Sequence, residues 1–511
     1  MLKYLIGIDV GTSALKTALF TLNGRAVAQA DAPYPVHYPH PGWAEQHPDD
    51  WWRALCTAMK QMLGEAGVNP RDVAAIGVAG QSWSAVLIDS QGQALNRTPI
   101  WMDTRSRACC QDAVRTIGED AIFSISGNPL QPTYTLPKLL WYQKHHPGLM
   151  RCADKVLQSN GYIVYRLTGS VTQDKSQGYG FAFFDMQHGT WNLSLARAFG
   201  ISPSLLPDIG DCHQMAGHVT AEAARQTGLC EGIPVVLGGL DAACGTLGAG
   251  VYQNGQTQEQ GGQAGGMSIC MDHMVADRRL ILSRHVVPDL WLLQGGAVGG
   301  GGLLRWIRQE FCLHEENLAR TSGASAYAEM DRAAAAIPPG SEGLVFLPYM
   351  AGERSPIWDP DAKGVLFGLD YAKTRAHVIR AGMEGAAFAL RHNCETAANA
   401  GAAISSLHAM GGAANSKVWT QIKADITGYT IHVPSSDTAT ALGAALLAGV
   451  GVGAYAGFEE AVRQTVSIRR THVPNPAVKS LYDKAYRTYR QLYDNTKNLM
   501  KEAAHESGGI T

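Results

Sequence analysis

Residues 5–20, Leu5-Ile6-Gly7-Ile8-Asp9-Val10-Gly11-Thr12-Ser13-Ala14-Leu15-Lys16-Thr17-Ala18-Leu19-Phe20, constrain the fold more than any other stretch of the chain. An apolar run broken by a single carboxylate, then Gly-Thr-Ser, then the alternation Leu15, Thr17, Leu19 predicts strand, tight turn, strand. Within the turn, Gly11 permits positive φ and lets a ligand approach the backbone, while the hydroxyls and amides of Thr12 and Ser13 can form an anion nest suited to phosphate. Asp9, just before the turn, is placed to hold the hydrated Mg²⁺ that accompanies a nucleotide. An ordinary hairpin with a polar turn uses the same residues, so this stretch predicts local structure and leaves its chemistry open.

The 511 residues exceed what one core usually organises, and two domains of roughly 250 residues are expected. A formal charge of −2 and the lack of a long basic run give no electrostatic reason to expect nucleic acid or an acidic membrane as partner. The ten cysteines are scattered, with no CxxC pair and no zinc spacing, as in a reduced cytosolic chain. The opening residues lack a basic segment followed by an apolar one, so a cytoplasmic location is expected. Ala441 to Phe458 is long and apolar enough to raise the question of a membrane span, but its glycines and alanines and the polar start Ser435-Ser436-Asp437-Thr438 predict a capped buried helix.

Further along, Ala26 to Ala30 extends the first hairpin into a three-stranded meander, and Asp49-Asp50 open a helix whose Trp51 and Trp52 read as core anchors. Val73 to Ala79 is a buried strand running into Gly80-Gln81-Ser82-Trp83-Ser84, and polar residues at such strand ends are where α/β sheets place ligand contacts. Trp101, Asp103 and Arg105 offer an aromatic, a carboxylate and a guanidinium within five residues, enough to stack on and hydrogen-bond a small polyhydroxylated molecule. The alternative for this group is a helix start capped by Asp103. Tyr134 closes a loop, where it can line a pocket or staple the following helix. Phe181 to Phe184 reads as a strand.

Pro234 to Ala249 reads as strand, paired glycines, then a small-residue helix beginning at Asp241. A helix cap explains Asp241, but it does not explain the paired glycines and small residues that let a substrate or another backbone come close. Glycine turns recur at Gly262-Gln263-Ala264-Gly265-Gly266, in the run through Gly299, and at Gly411-Gly412 before Asn415. They suit phosphates and adenosine packed on the backbone.

Taken in order, Gly7 to Ser13, Gly42-Trp43-Ala44-Glu45-Gln46, Trp101 to Arg105, Gly238 to Asp241, Met410 to Ala413 and the long signature Phe346 to Pro360 with Gly364 and Gly368 resemble the sugar kinases of the FGGY family. Within that family the chain looks most like xylulokinases, over about residues 4 to 490. The resemblance implies an α/β fold of two actin-like, ribonuclease-H-like domains with ATP and sugar in the cleft between them. It divides the chain into residues 1–245 with the sugar side and first phosphate turn, residues 246–455 with the nucleotide side, and a helical segment 456–511 packing back on the domains.

Carried over residue by residue, the resemblance makes Asp241 the catalytic base, also touching substrate, and Asp9 the Mg²⁺-associated carboxylate. It places Gly11, Thr12, Ser13, Lys16, Gly262, Gln263, Gly299, Gly411, Gly412 and Asn415 on the nucleotide, and Gln81, Ser82, Trp101, Asp103, Arg105 and Tyr134 on the sugar side. The implied reaction is transfer of the γ-phosphoryl group of ATP to a ketopentose, D-xylulose first. A gluconate or other polyol kinase is the nearest alternative, and a non-catalytic sugar or nucleotide sensor the alternative of another class. The resemblance leaves room for a homodimer. Two departures stand out: the loop Gln81-Ser82-Trp83 lacks the Met-His-Gly common in xylulokinases, and Gly262-Gln263-Ala264 replaces a Gly-Thr-Ser type turn.

Overall fold

The computed structural model describes residues 3–436 and 438–507. The predicted opening meander forms: Tyr4–Val10 pairs antiparallel with Ala14–Thr21, which pairs with Ala26–Pro33. Helix Pro48–Ala66 then crosses the sheet, with Trp51 and Trp52 buried against it. The uninterrupted apolar run at Val73 becomes the strand Val73–Gly80, buried throughout and parallel to Tyr4–Val10, as expected for a strand covered on both faces. Pro234–Val236 adds a second parallel strand, and Met215–His218 closes the sheet antiparallel.

The second sheet repeats the plan. Gln256–Gly261 and Gly265–Met271 form a hairpin, and Trp291–Ala297 continues the meander with Ile281–Arg284 as an added edge strand. Ser406–Met410 and Ile431–Pro434 are the parallel strands, and Ile468–His472 closes antiparallel. Each sheet therefore starts on a hairpin with a three-residue turn, 11–13 in one and 262–264 in the other.

Helix Ala439–Gly451 explains the small-residue stretch. It lies on the first sheet backbone to backbone: a Cβ added at Gly7 would fall 1.8 Å from the Ala441 carbonyl oxygen, and one at Gly77 would fall 1.9 Å from that of Ala444. The helix also packs on Asp241–Gly248, where a Cβ at Gly443 would fall 1.8 Å from the Cys244 oxygen. No helix among the described residues is long and apolar enough to cross a membrane. Of the expected polar cap, Asp437 lies outside the described residues, and Thr438 makes no side-chain capping bond.

Two expectations change. Phe181–Phe184 is not a strand: a 3₁₀ segment, Lys175–Phe181, ends at Ala182 in the left-handed region (φ 56°), and only Phe184–Asp185 pairs. Residues 456–511 are not only a helical return, because Ile468–His472 completes the second sheet. The long last helix, Lys479–Ser507, packs back on the second domain, with Tyr482, Tyr486 and Tyr489, spaced for one helix face, buried beside Tyr349 and Phe388.

Gly7→Ala drives a methyl group into the Ala441 carbonyl, and a loss of more than about 3 kcal/mol of stability is expected in urea unfolding. Gly64→Ala, in a helix with open space around it, is expected to stabilise by up to about 1 kcal/mol in the same measurement.

Candidate active site

Register in the first sheet brings three strand ends together. Asp9 lies opposite Ala79, and Ala79 lies opposite Gly239 of the short strand Gly239–Leu240. Gln81 follows the middle strand directly, and Asp241 follows the third. All three residues sit at the carboxyl ends of adjacent parallel strands, the edge where open α/β sheets bind ligands.

Asp241 is the first residue of its helix; the cap position belongs to Leu240, which makes no side-chain capping bond. Its Oδ1 accepts from the Ala242 amide at 2.6 Å. Burial pushes the Asp241 carboxyl up to about 7, with the charge on Asp9 adding to the shift. Burial likewise raises Asp9 to about 6, against the pull of Lys16, its cross-strand partner. Two carboxylates thus lie near enough at strand ends for Asp241 to feel the charge of Asp9, and among the described residues no cation offsets the shift at Asp241. Below them, buried Asp174 accepts from Asn160 Nδ2 (2.7 Å), Gln173 Nε2 (2.6 Å) and the hydroxyl of Ser176, whose Oγ in turn accepts from the Leu240 amide (2.8 Å). This chain of hydrogen bonds fixes the residue that precedes Asp241.

The first turn is held from outside. Gln46 Nε2 donates to the Thr12 carbonyl (2.7 Å), Trp101 Nε1 donates to Thr12 Oγ1 (2.9 Å), and the Tyr34 hydroxyl donates to the Gly11 carbonyl. Gln46 Oε1 accepts from Gln81 Nε2 (2.7 Å) and Trp51 Nε1 (3.1 Å), so one buried amide joins turn, strand end and helix. Gly11 is not in the left-handed region; its use is the close approach to Ala14, whose carbonyl oxygen would lie 3.0 Å from an added Cβ.

Not every expected sugar-side residue faces the cleft. Asp103 and Arg105 have side chains 0% and 2% exposed and form a closed pair, with Arg105 also bonded to Glu45 (2.8 Å) and lying 3.7 Å over the Trp43 ring. The Ala44 amide donates to Asp103 Oδ2 at 2.7 Å. These groups are spent on each other, and the structure assigns them to holding the loop. Trp101 is tied to Thr12, on the nucleotide-side turn. Gln81 follows Gly80, which lies opposite Leu240, and spends its side-chain amide on Gln46, whereas Tyr134 is buried against Trp83 and Tyr179. Tyr179 on the 3₁₀ segment, which sequence reasoning missed, is hydrogen-bonded with Ser82 and feels the charge of Asp241. Trp83 packs 4.6 Å from Tyr134 and 5.5 Å from Tyr179 between ring centroids, in the left-handed region at φ 59°, a conformation that costs a bulky residue about 1–3 kcal/mol. Buried Lys138, lowered to about 7 by burial, secures it by donating to the Trp83 carbonyl (2.7 Å) and the Ile100 carbonyl (2.8 Å).

On the second domain, the Gly301 and Gly302 amides donate to the carbonyls of Gly262 (2.8 Å) and Gln263 (2.9 Å), locking the second turn onto the start of helix Gly301–Phe311. Gly411, at φ 79°, abuts Gly261, where any Cβ would fall 2.7 Å from a carbonyl oxygen, whereas Gly412 has open space beside it. Gly299 packs on Pro348, and Glu353 Oε1 accepts from the Val298 amide at 2.7 Å, so the long signature clamps this glycine run. Gln263, Gly412 and Asn415 line a cavity of ≈ 640 Å³ that runs to Tyr327, Met383 and Trp419. Glycine backbone at one part and apolar rings at another suit a nucleotide.

Residues 4–248 match the N-terminal domain, and residues 263–452 the C-terminal domain, of the FGGY family of carbohydrate kinases. The chain is 30% identical to a xylulose kinase of Bacillus subtilis over 500 residues, covering 98% of each chain. It is 30% identical to an autoinducer-2 kinase of Salmonella choleraesuis over 524 residues, covering 99% and 96%. Among solved structures, a xylulose kinase from Rhodospirillum rubrum superimposes with TM-score 0.88 at 31% identity over 98% of this chain and 100% of the other. A gluconate kinase from Lactobacillus acidophilus superimposes with TM-score 0.88 at 25% identity, covering 97% and 98%. With its two-domain actin-like fold, the chain belongs to the FGGY family of carbohydrate kinases, phosphotransferases with an alcohol group as acceptor.

Proposed function

We propose that the protein transfers the γ-phosphoryl group of ATP to a hydroxyl of a ketopentose, D-xylulose being the first candidate. The observation that carries this reading is Asp241: a carboxylate on a strand end, raised in pKa, beside Ser82 and Tyr179 on one side and Asp9 on the other. Similarity to xylulose kinases supports the pentulose. The likeness to the gluconate kinase, together with the unusual Gln81-Ser82-Trp83 loop, supports a polyol or sugar acid as the second reading.

Asp241 accepts the proton of the acceptor hydroxyl as its oxygen bonds to the γ-phosphorus; the bond from that phosphorus to the bridging oxygen breaks, and ADP leaves. Tyr179 and Ser82 orient the acceptor, and the Trp83, Tyr134 and Tyr179 rings exclude water from its apolar edge. The backbone of the 11–13 and 262–264 turns receives the phosphates. Mg²⁺ takes one or two carboxylates and fills its shell with water and phosphate oxygens, and buried Asp9 at its strand end offers such a carboxylate. Asp9 would be its ligand, and the raised pKa of the Asp9 and Asp241 carboxyls marks the negative charge a cation would relieve. Bound there, the ion would neutralise phosphate charge.

A panel of D-xylulose, other pentuloses, gluconate and polyols in a coupled ADP-release assay tests the acceptor. D-xylulose is expected to give the highest kcat/KM, and turnover confined to gluconate or polyols decides for the second reading. Asp241→Asn is expected to lower kcat by about 10² to 10⁴-fold while leaving ADP affinity nearly unchanged; retained turnover removes Asp241 from the role of base.

Because the base must be ionised and its carboxyl is raised to about 7, kcat/KM is expected to fall as pH drops through about 7. The same residue works against the ligand-free fold. A carboxyl whose folded pKa lies above its unfolded one destabilises the fold progressively as pH rises above the unfolded value of about 4, and the loss is complete above the folded value. Asp241→Asn is therefore expected to raise Tm at pH 8, and to raise it less at pH 5, in ligand-free thermal unfolding.

A further inference from the structure

The departure at the second turn has a structural counterpart. Gln263 stands where the resemblance expects a hydroxyl residue, and its side-chain Oε1 accepts a hydrogen bond from Arg305 Nη2 on the adjoining helix. The turn after Ser406–Met410 repeats this arrangement: Asn415 Oδ1 accepts from Arg469 Nη2 at 2.6 Å, across 54 residues of chain. Both amides line the same cavity. In each the oxygen is taken by a guanidinium, and among the described residues neither amide nitrogen has a protein acceptor. All four side chains are exposed, and an amide whose oxygen is held by a guanidinium keeps its two N–H donors for an anion. Arg305 itself lines the cavity, and Arg470 anchors the same turn by donating to the Ala414 carbonyl. The Arg305 and Arg469 charges more than offset the lining carboxylate Asp331, which accepts from Ser416 Oγ at 2.7 Å.

We propose that Arg305 and Arg469 are positioning residues for the nucleotide polyphosphate: each fixes a side-chain amide, Gln263 or Asn415, whose N–H groups replace the hydroxyl donors absent from the second turn. The proposal rests on the reading of this cavity as the nucleotide site. It accounts for a turn that lacks Thr and Ser yet keeps its place in the cleft. Arginine suits the task because its charge strengthens the Nη2–H···O bond that each makes and is not titrated away.

Titration calorimetry on the full chain with ADP and with adenosine separates this role from simple structural support. Arg305→Ala and Arg469→Ala are each expected to weaken ADP binding by about tenfold or more while adenosine binding stays within about twofold. Arg305→Lys, which keeps the charge on a shorter side chain without the Nη2 donor, is expected to recover only part of the loss. Equal losses for ADP and adenosine would mean that the arginines merely support the cavity, and an unchanged ADP affinity would mean that they play no part; either result overturns the proposal. A wild-type chain that binds neither probe overturns the nucleotide reading itself, and the proposal with it.

Discussion

Everything at the cleft depends on one close packing: helix Ala439–Gly451, drawn from the second half of the chain, lying on the first sheet with no side chains between the backbones. Gly7 and Gly77 on the sheet, and Gly443 and Gly248 on the crossing helices, make this possible, since an added Cβ at any of the four would overlap a carbonyl oxygen. The contact also fixes helix Asp241–Gly248 against the first sheet, and with it the position of Asp241. A sheet edge carrying Asp9 and Asp241 is thereby held opposite a second edge carrying the glycine turns.

On that frame the site is built from charges of one sign. Asp9 and Asp241 are brought to neighbouring strand ends, where burial raises both, the charge of Asp9 adds to the shift at Asp241, and Lys16 relieves Asp9. Such an arrangement costs stability in the ligand-free chain and favours the arrival of positive charge or a proton, which is the condition a base and a cation ligand require. The supporting groups are neutral or internally paired. Gln46 ties the first turn through its amide, and Arg105 is neutralised by Asp103 and Glu45.

Local pattern made the two hairpins, the buried strand at Val73 and the strand end before Asp241 legible in the sequence, because alternation, apolar runs and glycines act over a few residues. The family resemblance extended this to the two-domain fold. What stayed hidden was contact between distant segments. Asp103 and Arg105 look like ligand groups in sequence, and only the packing of Trp43 and Glu45 around them shows that they are closed on each other. Tyr179 escaped notice because its segment is a 3₁₀ turn, not the strand that its aromatic neighbours suggested. Gln46 lay inside a motif used for the resemblance, but its place as a hub requires Thr12, Trp51 and Gln81 to meet in space.

The site rests on two carboxyls of raised pKa, Asp9 and Asp241, at the ends of the two strands that flank Val73–Gly80, the charge of Asp9 adding to the shift at Asp241. Carbon-13 NMR titration of the aspartate carboxyls in the ligand-free protein, with Asp9→Asn and Asp241→Asn to assign them, tests it most directly. Two carboxyls titrating near 6 and 7, with the Asp241 signal moving to lower pH in Asp9→Asn, is the predicted result. Both titrating near the ordinary carboxylate value of about 4, independently of each other, would contradict it.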